Sequence, residues 1–291
     1  MSGQDFGSSG GIAQRSTLVD GAPAKYLVGG DGPAVLFVHG WGLASSPVYL
    51  DAIRQLPRSG FEVYAPVLPG FGSSSLPQDQ FSLHGYAAWI SRFAEAVGIR
   101  RPFALVGYSF GGGVAIRLAH DFPDLVERLV LINSIGGSAW TNRKGSPIGL
   151  HRRPLWDWGL HLRADFSARR ETTRVLPVIL RDGLPPLIRN PRVLWRTATL
   201  ARRTDSTTEL EELKRRRLPV AIVWSRRDRL IPDVTINSLR AAAGDHLYVT
   251  VDGSHSWVNS DPAAFCEVIT NILNLASADL TGEIHHSTEP Q

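Results

Sequence analysis

The sequence predicts an α/β fold: a mainly parallel, twisted sheet with helices on both faces, interrupted by one helical insertion. Three observations carry this. Short apolar runs alternate with segments of helical apolar spacing along most of the chain. One such run, Phe103-Ala104-Leu105-Val106, passes through a glycine-bounded turn straight into a helical segment. Over 138–217, strand patterning stops, prolines recur and the charge swings positive.

Taken in order, 15–28 reads as an opening hairpin. Val35-Leu36-Phe37-Val38 and Val63-Tyr64-Ala65-Pro66-Val67 are continuous apolar runs, the pattern of strands covered on both faces. Next, Tyr86, Trp89, Ile90 and Phe93 fall on one stripe of a helix over 83–97. The strand at 103–106 leads through Gly111-Gly112-Gly113 into a helix over 114–120, and Leu129-Val130-Leu131-Ile132-Asn133 is the following strand. After Pro219 the alternation resumes: a strand from Val220, a helix over 232–243, a strand over 247–251 and a helix over 262–275. The expected organisation is a core of 15–137 and 218–277, a helical insertion at 138–217, and flexible tails at 1–14 and 278–291. No internal repeat is visible.

Composition narrows the classes. A chain of 291 residues with 43% hydrophobic and 20% charged residues can bury one large core. Cys266 is the single cysteine, so a disulfide framework is excluded, and inside a helical stretch it reads as a packed small hydrophobe. No apolar run approaches the roughly 20 residues of a membrane span. The Gly/Ser-rich start lacks the basic-then-apolar order of a secretory leader, so a cytoplasmic location is the expectation.

The glycine-bounded turn is Gly107-Tyr108-Ser109-Phe110-Gly111. A serine turned sharply from strand to helix sits in strained backbone. Small residues two positions away on each side let the chain fold back without a Cβ clash, and the Phe110 amide opens the helix beside the serine hydroxyl. Downstream, Asp228 follows the strand from Val220, and His255 follows the strand over 247–251. Serine, aspartate and histidine in that order, each past its own strand, would meet at one edge of a parallel sheet.

These motifs resemble the α/β-hydrolase superfamily over about residues 25–275. Val38-His39-Gly40-Trp41-Gly42 is similar to the family's H-G-x-G loop, and Pro69-Gly70-Phe71-Gly72-Ser73-Ser74 to its P-G-x-G-x-S turn. Val67 stands where an aspartate is common, and Ser225 where a glycine usually precedes the turn of the acid. The resemblance implies Ser109 as nucleophile, His255 as base and Asp228 as the acid that orients it. It also implies oxyanion donors at the backbone N–H groups of Trp41 and Phe110, with His39, Gly40, Gly107 and Gly111 shaping the surrounding loops.

Competing assignments exist for each role. Asp252 and Asp245 lie near the base in sequence, but a neighbour three residues away usually points along its own turn. His39 rivals His255, though in the family loop that histidine is a structural hydrogen-bonder. His84, His120, His151 and His161 read as surface or packing residues, and Ser73, Ser74 and Ser75 have no elbow to activate them.

The expected chemistry is acyl transfer, above all cleavage of a carboxylic ester, and it calls for no metal or organic cofactor. Thioesters, vinylogous diketones cleaved at a carbon–carbon bond, and transfer to acceptors other than water remain open with the same residues. So does a slow-turnover small-molecule receptor. In this superfamily the 138–217 insertion would be a helical cap over the serine. Leu155, Trp158 and Leu162 at i, i+3 and i+7 suit an underside that selects apolar acyl groups.

That insertion holds 18 Lys and Arg against 8 Asp and Glu, a net of +10 in a chain whose total is +4. A solvated face is the plain explanation. Trp140, Trp156, Trp158 and Trp195 among the arginines keep open peripheral contact with an anionic membrane, and acidic substrates such as acyl-CoA are a further alternative. Nucleic acid is not expected, because no binding module accompanies the charge.

Overall fold

The computed structural model describes residues 11–41, 49–71, 81–141, 147–149, 191–244, 247–276 and 280. The opening hairpin joins β1 (Ala13–Val19) to β2 (Ala22–Gly29) through Asp20-Gly21, both at positive φ. An Asp-Gly pair with two left-handed residues is the two-residue turn whose twist matches its flanking strands.

The remaining strands of the main sheet are β3 (Ala34–Val38), β4 (Glu62–Pro66), β5 (Phe103–Tyr108) and β6 (Val126–Ile132), with two more after the insertion. A short antiparallel pair, β7 (Ala139–Thr141) and β8 (Pro147–Gly149), stands apart. With β9 (Val220–Ser225) and β10 (Leu247–Val251), the sheet order is β1-β2-β4-β3-β5-β6-β9-β10. The pairs from β4 to β10 are all parallel, and only β1 and β2 run against their neighbours.

Helices cover both faces because the central strands are apolar on both sides. Leu36, Val38, Leu105, Leu129 and Leu131 face one cluster, packed under α2 (Leu83–Val97) and α3 (Phe110–Asp121). Val35, Phe37, Ala104, Val106, Val130 and Ile132 face the other, with Ile53 of α1 (Leu50–Ile53) and Phe265, Ile269 and Ile272 further along the chain. The period-2 alternation of a strand thus feeds two cores at once. At its ends, α2 is closed by Ser82, whose hydroxyl accepts from the Gly85 N–H at 3.0 Å, and by left-handed Gly98.

Beyond β8 come α4 (Pro191–Arg203), α5 (Thr207–Arg215), α6 (Asp233–Ala243), α7 (Trp257–Ser260) and α8 (Pro262–Asn274). The order β4-β3-β5 makes the point between β3 and β5 a topological switch. In open sheets of this kind, ligands bind outside the carboxyl ends of the strands at such a point.

Four expectations change. The insertion is not free of strands, since β7 and β8 lie in it; three residues are too few to show a period-2 pattern. Helix α3 starts at Phe110 rather than 114, because its three glycines are helical and buried. Ala13 and Gln14 belong to β1 rather than to a tail. Leu280, expected in the C-terminal tail, is buried in the α8-side core. Leu155, Trp156, Trp158 and Leu162 lie outside the described residues, as do His151, His161, Asp245 and Ser73 to Ser75.

Candidate active site

Ser109 sits between β5 and α3 with φ 53° and ψ −115°, backbone that a non-glycine residue adopts at a cost of order 1–3 kcal/mol. Three hydrogen bonds hold it there. Its N–H donates to Ile132 O at 2.9 Å, and its carbonyl accepts from Gly112 N at 3.0 Å and Ile135 N at 3.2 Å. The flanking glycines are needed for space. A Cβ on Gly111 would stand 2.1 Å from Val38 O, and one on Gly107 would stand 2.7 Å from Gly111 O. The start of α3 is therefore pressed against the end of β3. Phe110 is the first residue of α3, so its N–H has no carbonyl one turn earlier within the helix.

His255 reaches Ser109 from the loop after β10. Its Nε2 lies 3.0 Å from Ser109 Oγ, and its Nδ1 lies 2.7 Å from Asp228 Oδ2. An ionised carboxylate only accepts, so Nδ1 carries the proton and donates to Asp228. Nε2 is left to accept from the serine hydroxyl. The other carboxylate oxygen of Asp228, Oδ1, accepts from Leu230 N at 2.8 Å and Ile231 N at 3.0 Å. All three side chains are buried. The array can therefore move one proton from Ser109 to His255 while Asp228 holds the ring.

His39 lies elsewhere in this network. Its Nε2 accepts from Leu68 N at 2.9 Å, which makes Nδ1 the donor to Gly40 O at 2.8 Å. Complete burial lowers its pKa from 6.5 to about 4, so it is neutral near pH 7. It ties the loop after β3 to the loop after β4. Gly40 in turn lies against the Ser109 turn: a Cβ there would be 3.0 Å from the Tyr108 ring and 3.2 Å from Ser109 Cβ.

The described part of the insertion docks on this edge. The indole N–H of Trp41 donates to Thr197 Oγ1 at 2.8 Å, and that hydroxyl donates to Val193 O one turn back. Val193 fills the space that a Cβ on Gly70 would take. Arg196 lies 4.3 Å above the ring of Phe81. Helix α4 thus rests on the loops carrying Trp41 and Gly70. Trp195, on its outer side, is 64% exposed.

Ser109, Asp228, His255, Trp41, Phe110, Gly40, Gly107 and Gly111 therefore fall at one sheet edge, with His39 behind them. Asp252 does not join them: its side chain is 74% exposed and lies 3.4 Å from Arg227. His84 and His120 both contact Asp121, on the far end of α3. Among the described residues no group of three or more His, Cys, Asp or Glu is placed to hold a metal ion. No described helix is long and apolar enough to cross a membrane. Sequence reasoning missed Tyr108, whose hydroxyl donates to the His255 carbonyl at 2.7 Å, and Asn133, buried under the same loop. An asparagine ending an apolar strand was the one signal available for the latter.

A model of the Alpha/beta hydrolase family matches residues 35–268. An uncharacterized protein of Mycobacterium tuberculosis is 30% identical over 275 residues, covering 88% of this chain and 80% of its own. A pimeloyl-[acyl-carrier protein] methyl ester esterase of Vibrio atlanticus is 26% identical over 263 residues, covering 84% and 95%. Among solved structures, a serine hydrolase involved in carbazole degradation superposes with a TM-score of 0.73 at 18% identity, over 91% of this chain and 100% of that one. A putative lipase from Acinetobacter baumannii gives 0.71 at 20% identity, covering 91% of each chain. At such identities these two structures show a shared fold.

Proposed function

The chain belongs to the alpha/beta hydrolase family, and from that premise we propose that it is a serine hydrolase cleaving a carboxylic ester through an acyl-enzyme. One observation carries the reading: the buried hydrogen-bonded chain Ser109–His255–Asp228, with its serine in strained backbone at the mouth of a helix. Ser109 Oγ attacks the ester carbonyl as its proton passes to His255 Nε2. The tetrahedral oxyanion is held by the N–H groups of Trp41 and Phe110, where one lost donor costs about 10²–10³ in rate. The carbon–oxygen bond to the alcohol then breaks, and His255 returns the proton to the leaving oxygen. Water repeats the sequence in reverse order, giving its proton to His255 as it attacks the acyl carbon and releasing the acid with Ser109 restored. Asp228 stays ionised throughout, fixing the ring and stabilising its cation.

The esterase relative supports the ester as the bond cleaved. The test is a panel of p-nitrophenyl esters of increasing chain length, with acyl-CoAs and a vinylogous diketone alongside, on wild type and Ser109→Ala. Sustained ester turnover that Ser109→Ala lowers by several orders of magnitude, together with lost fluorophosphonate labelling, is the expected outcome. Labelling at another serine refutes the assignment. A burst that stalls would favour a receptor.

The basic face of α4 supports a second property, peripheral contact with anionic lipid. Trp195 lies exposed between Arg192 and Arg196, and α4 contains no acidic residue. Sedimentation with phosphatidylserine vesicles, weakened by salt and by Trp195→Ala, is the expected result. Equal binding to phosphatidylcholine vesicles, or none to either, refutes it.

A further inference from the structure

Asn133 follows the last residue of β6 and is wholly buried, with φ 42°. Every polar atom of its side chain is engaged. Oδ1 accepts from the Ser225 N–H at 3.1 Å, which fixes the orientation of the amide. Nδ2 donates to Ser225 Oγ at 2.6 Å and to the His255 carbonyl at 3.3 Å. The same carbonyl accepts from Tyr108 Oη at 2.7 Å, and Tyr108 immediately precedes the nucleophile. One carbonyl thus receives a donor from each of two neighbouring strand ends, since Tyr108 and Ile132 are register partners in the β5–β6 pair.

The backbone adds an independent sign. Left-handed backbone favours glycine, and an asparagine there keeps a modest strain. Glycine would relieve that strain but would remove both hydrogen bonds to β9 and the one that Asn133 gives to the His255 carbonyl. Ser225, which replaces a glycine common in the family resemblance, provides the hydroxyl that Asn133 uses. The residue after β6 is therefore chosen for its side chain.

We propose that Asn133 and Tyr108 are positioning residues that seat the loop of His255, setting the approach of Nε2 to Ser109, while Asn133 ties the same loop to the end of β9, from which Asp228 departs. Neither touches the reacting atoms. They act because proton transfer from Ser109 needs the 3.0 Å contact, and misplacing a base by about 1 Å costs up to about 10² in rate. Two donors on one carbonyl are mutually supporting. Losing either leaves the other on the carbonyl, whereas losing both removes the two together.

The inference rests on His255 being the base, so the test keeps the two separable. Ser109→Ala judges that reading; Asn133→Gly, Tyr108→Phe and the double variant judge this one. All are compared at a temperature well below each variant's Tm. Each single change is expected to lower kcat about three- to tenfold with KM unchanged within about twofold. The double variant should lose clearly more than the product of the two. The rate constant for fluorophosphonate labelling at saturation should fall in parallel, since it requires the same base. If Tm falls while kcat and labelling hold, the residues are structural only and the proposal is overturned. It is equally overturned if the two losses simply multiply. If a double variant does not fold, Asn133→Gly alone decides: kcat and labelling falling together sustains the proposal, and neither falling overturns it.

Discussion

Replacing Asp228 by asparagine tests the acid without emptying its site. Asp228 Oδ1 accepts two backbone N–H groups, from Leu230 and Ile231. Turning the new NH₂ toward them would leave both donors unpaired, at about 1–3 kcal/mol each. The amide oxygen therefore stays where Oδ1 was, and the NH₂ faces His255 Nδ1. An NH₂ donates, so Nδ1 must accept, and the imidazole proton moves to Nε2. The ring then donates toward Ser109 Oγ and cannot take its proton. The corresponding substitution in a serine-protease triad lowers kcat by about 10⁴, close to 5 kcal/mol of barrier. A loss of that order is expected here, with KM little changed and the Tm within a few degrees. The assay is steady-state hydrolysis of a p-nitrophenyl ester beside thermal denaturation. Asp252→Asn is the control: its exposed pair with Arg227 contributes little, so wild-type rates are expected. If Asp228→Asn keeps kcat within tenfold of wild type, or if Asp252→Asn is inactive, the acid has been assigned to the wrong residue.

His39 gives a pH prediction. Its folded pKa of about 4 lies below the ordinary 6.5, so between those values the unfolded chain binds a proton that the native state refuses. Stability should be full above about pH 6.5 and fall toward pH 4, by on the order of 3 kcal/mol; a His39→Gln variant whose Tm falls as steeply between pH 7 and 5 would refute this. Gly111→Ala drives a methyl into Val38 O and His39 O, so a loss of about 1–3 kcal/mol or more is expected, read from denaturant titration; an unchanged midpoint would show that the contact yields freely. Thr197→Val keeps the volume but removes the acceptor of the Trp41 indole, at about 1 kcal/mol. Its expected signature is a changed KM across the ester chain-length series with fluorophosphonate labelling intact, and an unchanged series would uncouple α4 from specificity.

The parts of the site legible in the sequence are those set by local geometry. The glycines around Ser109 announce a steric constraint, and the apolar runs before Asp228 and His255 announce strands whose ends must meet. Helix α2 was legible from the stripe of Tyr86, Trp89, Ile90 and Phe93, and the structure adds the serine and glycine that cap it. Contacts between distant side chains leave no such trace. Trp41 and Thr197 are 156 positions apart, and nothing periodic links them. Tyr108 looks like one more apolar strand residue, because its hydroxyl matters only once the His255 loop is laid over it. Strands β7 and β8 were hidden by their length.

The strained residues explain how the sheet edge holds its shape. Ser109 and Asn133 leave adjacent parallel strands side by side, at φ 53° and 42°, and the Ser109 N–H donates to Ile132 O, one residue before Asn133. Each departure costs energy that a glycine would avoid, and neither position is a glycine. At Ser109 the hydroxyl is the reacting group in the proposed chemistry, and the strained turn projects it from the sheet. At Asn133 the amide meets β9 and the loop of His255, and the strained turn aims it there to hold the base. Buried hydrogen bonds offset both, because an unmet buried partner would cost about 1–3 kcal/mol, as much as the turn itself. Ser109, the loop of His255 and the strand leading to Asp228 are thereby held by hydrogen bonds from β5, β6 and β9. Among the described residues, helix α4 meets the same edge at Trp41 and Gly70 and lies over Phe81 through Arg196. If the proposed chemistry holds, changes on α4 should alter which acyl groups are accepted before they alter the proposed proton transfer from Ser109 to His255.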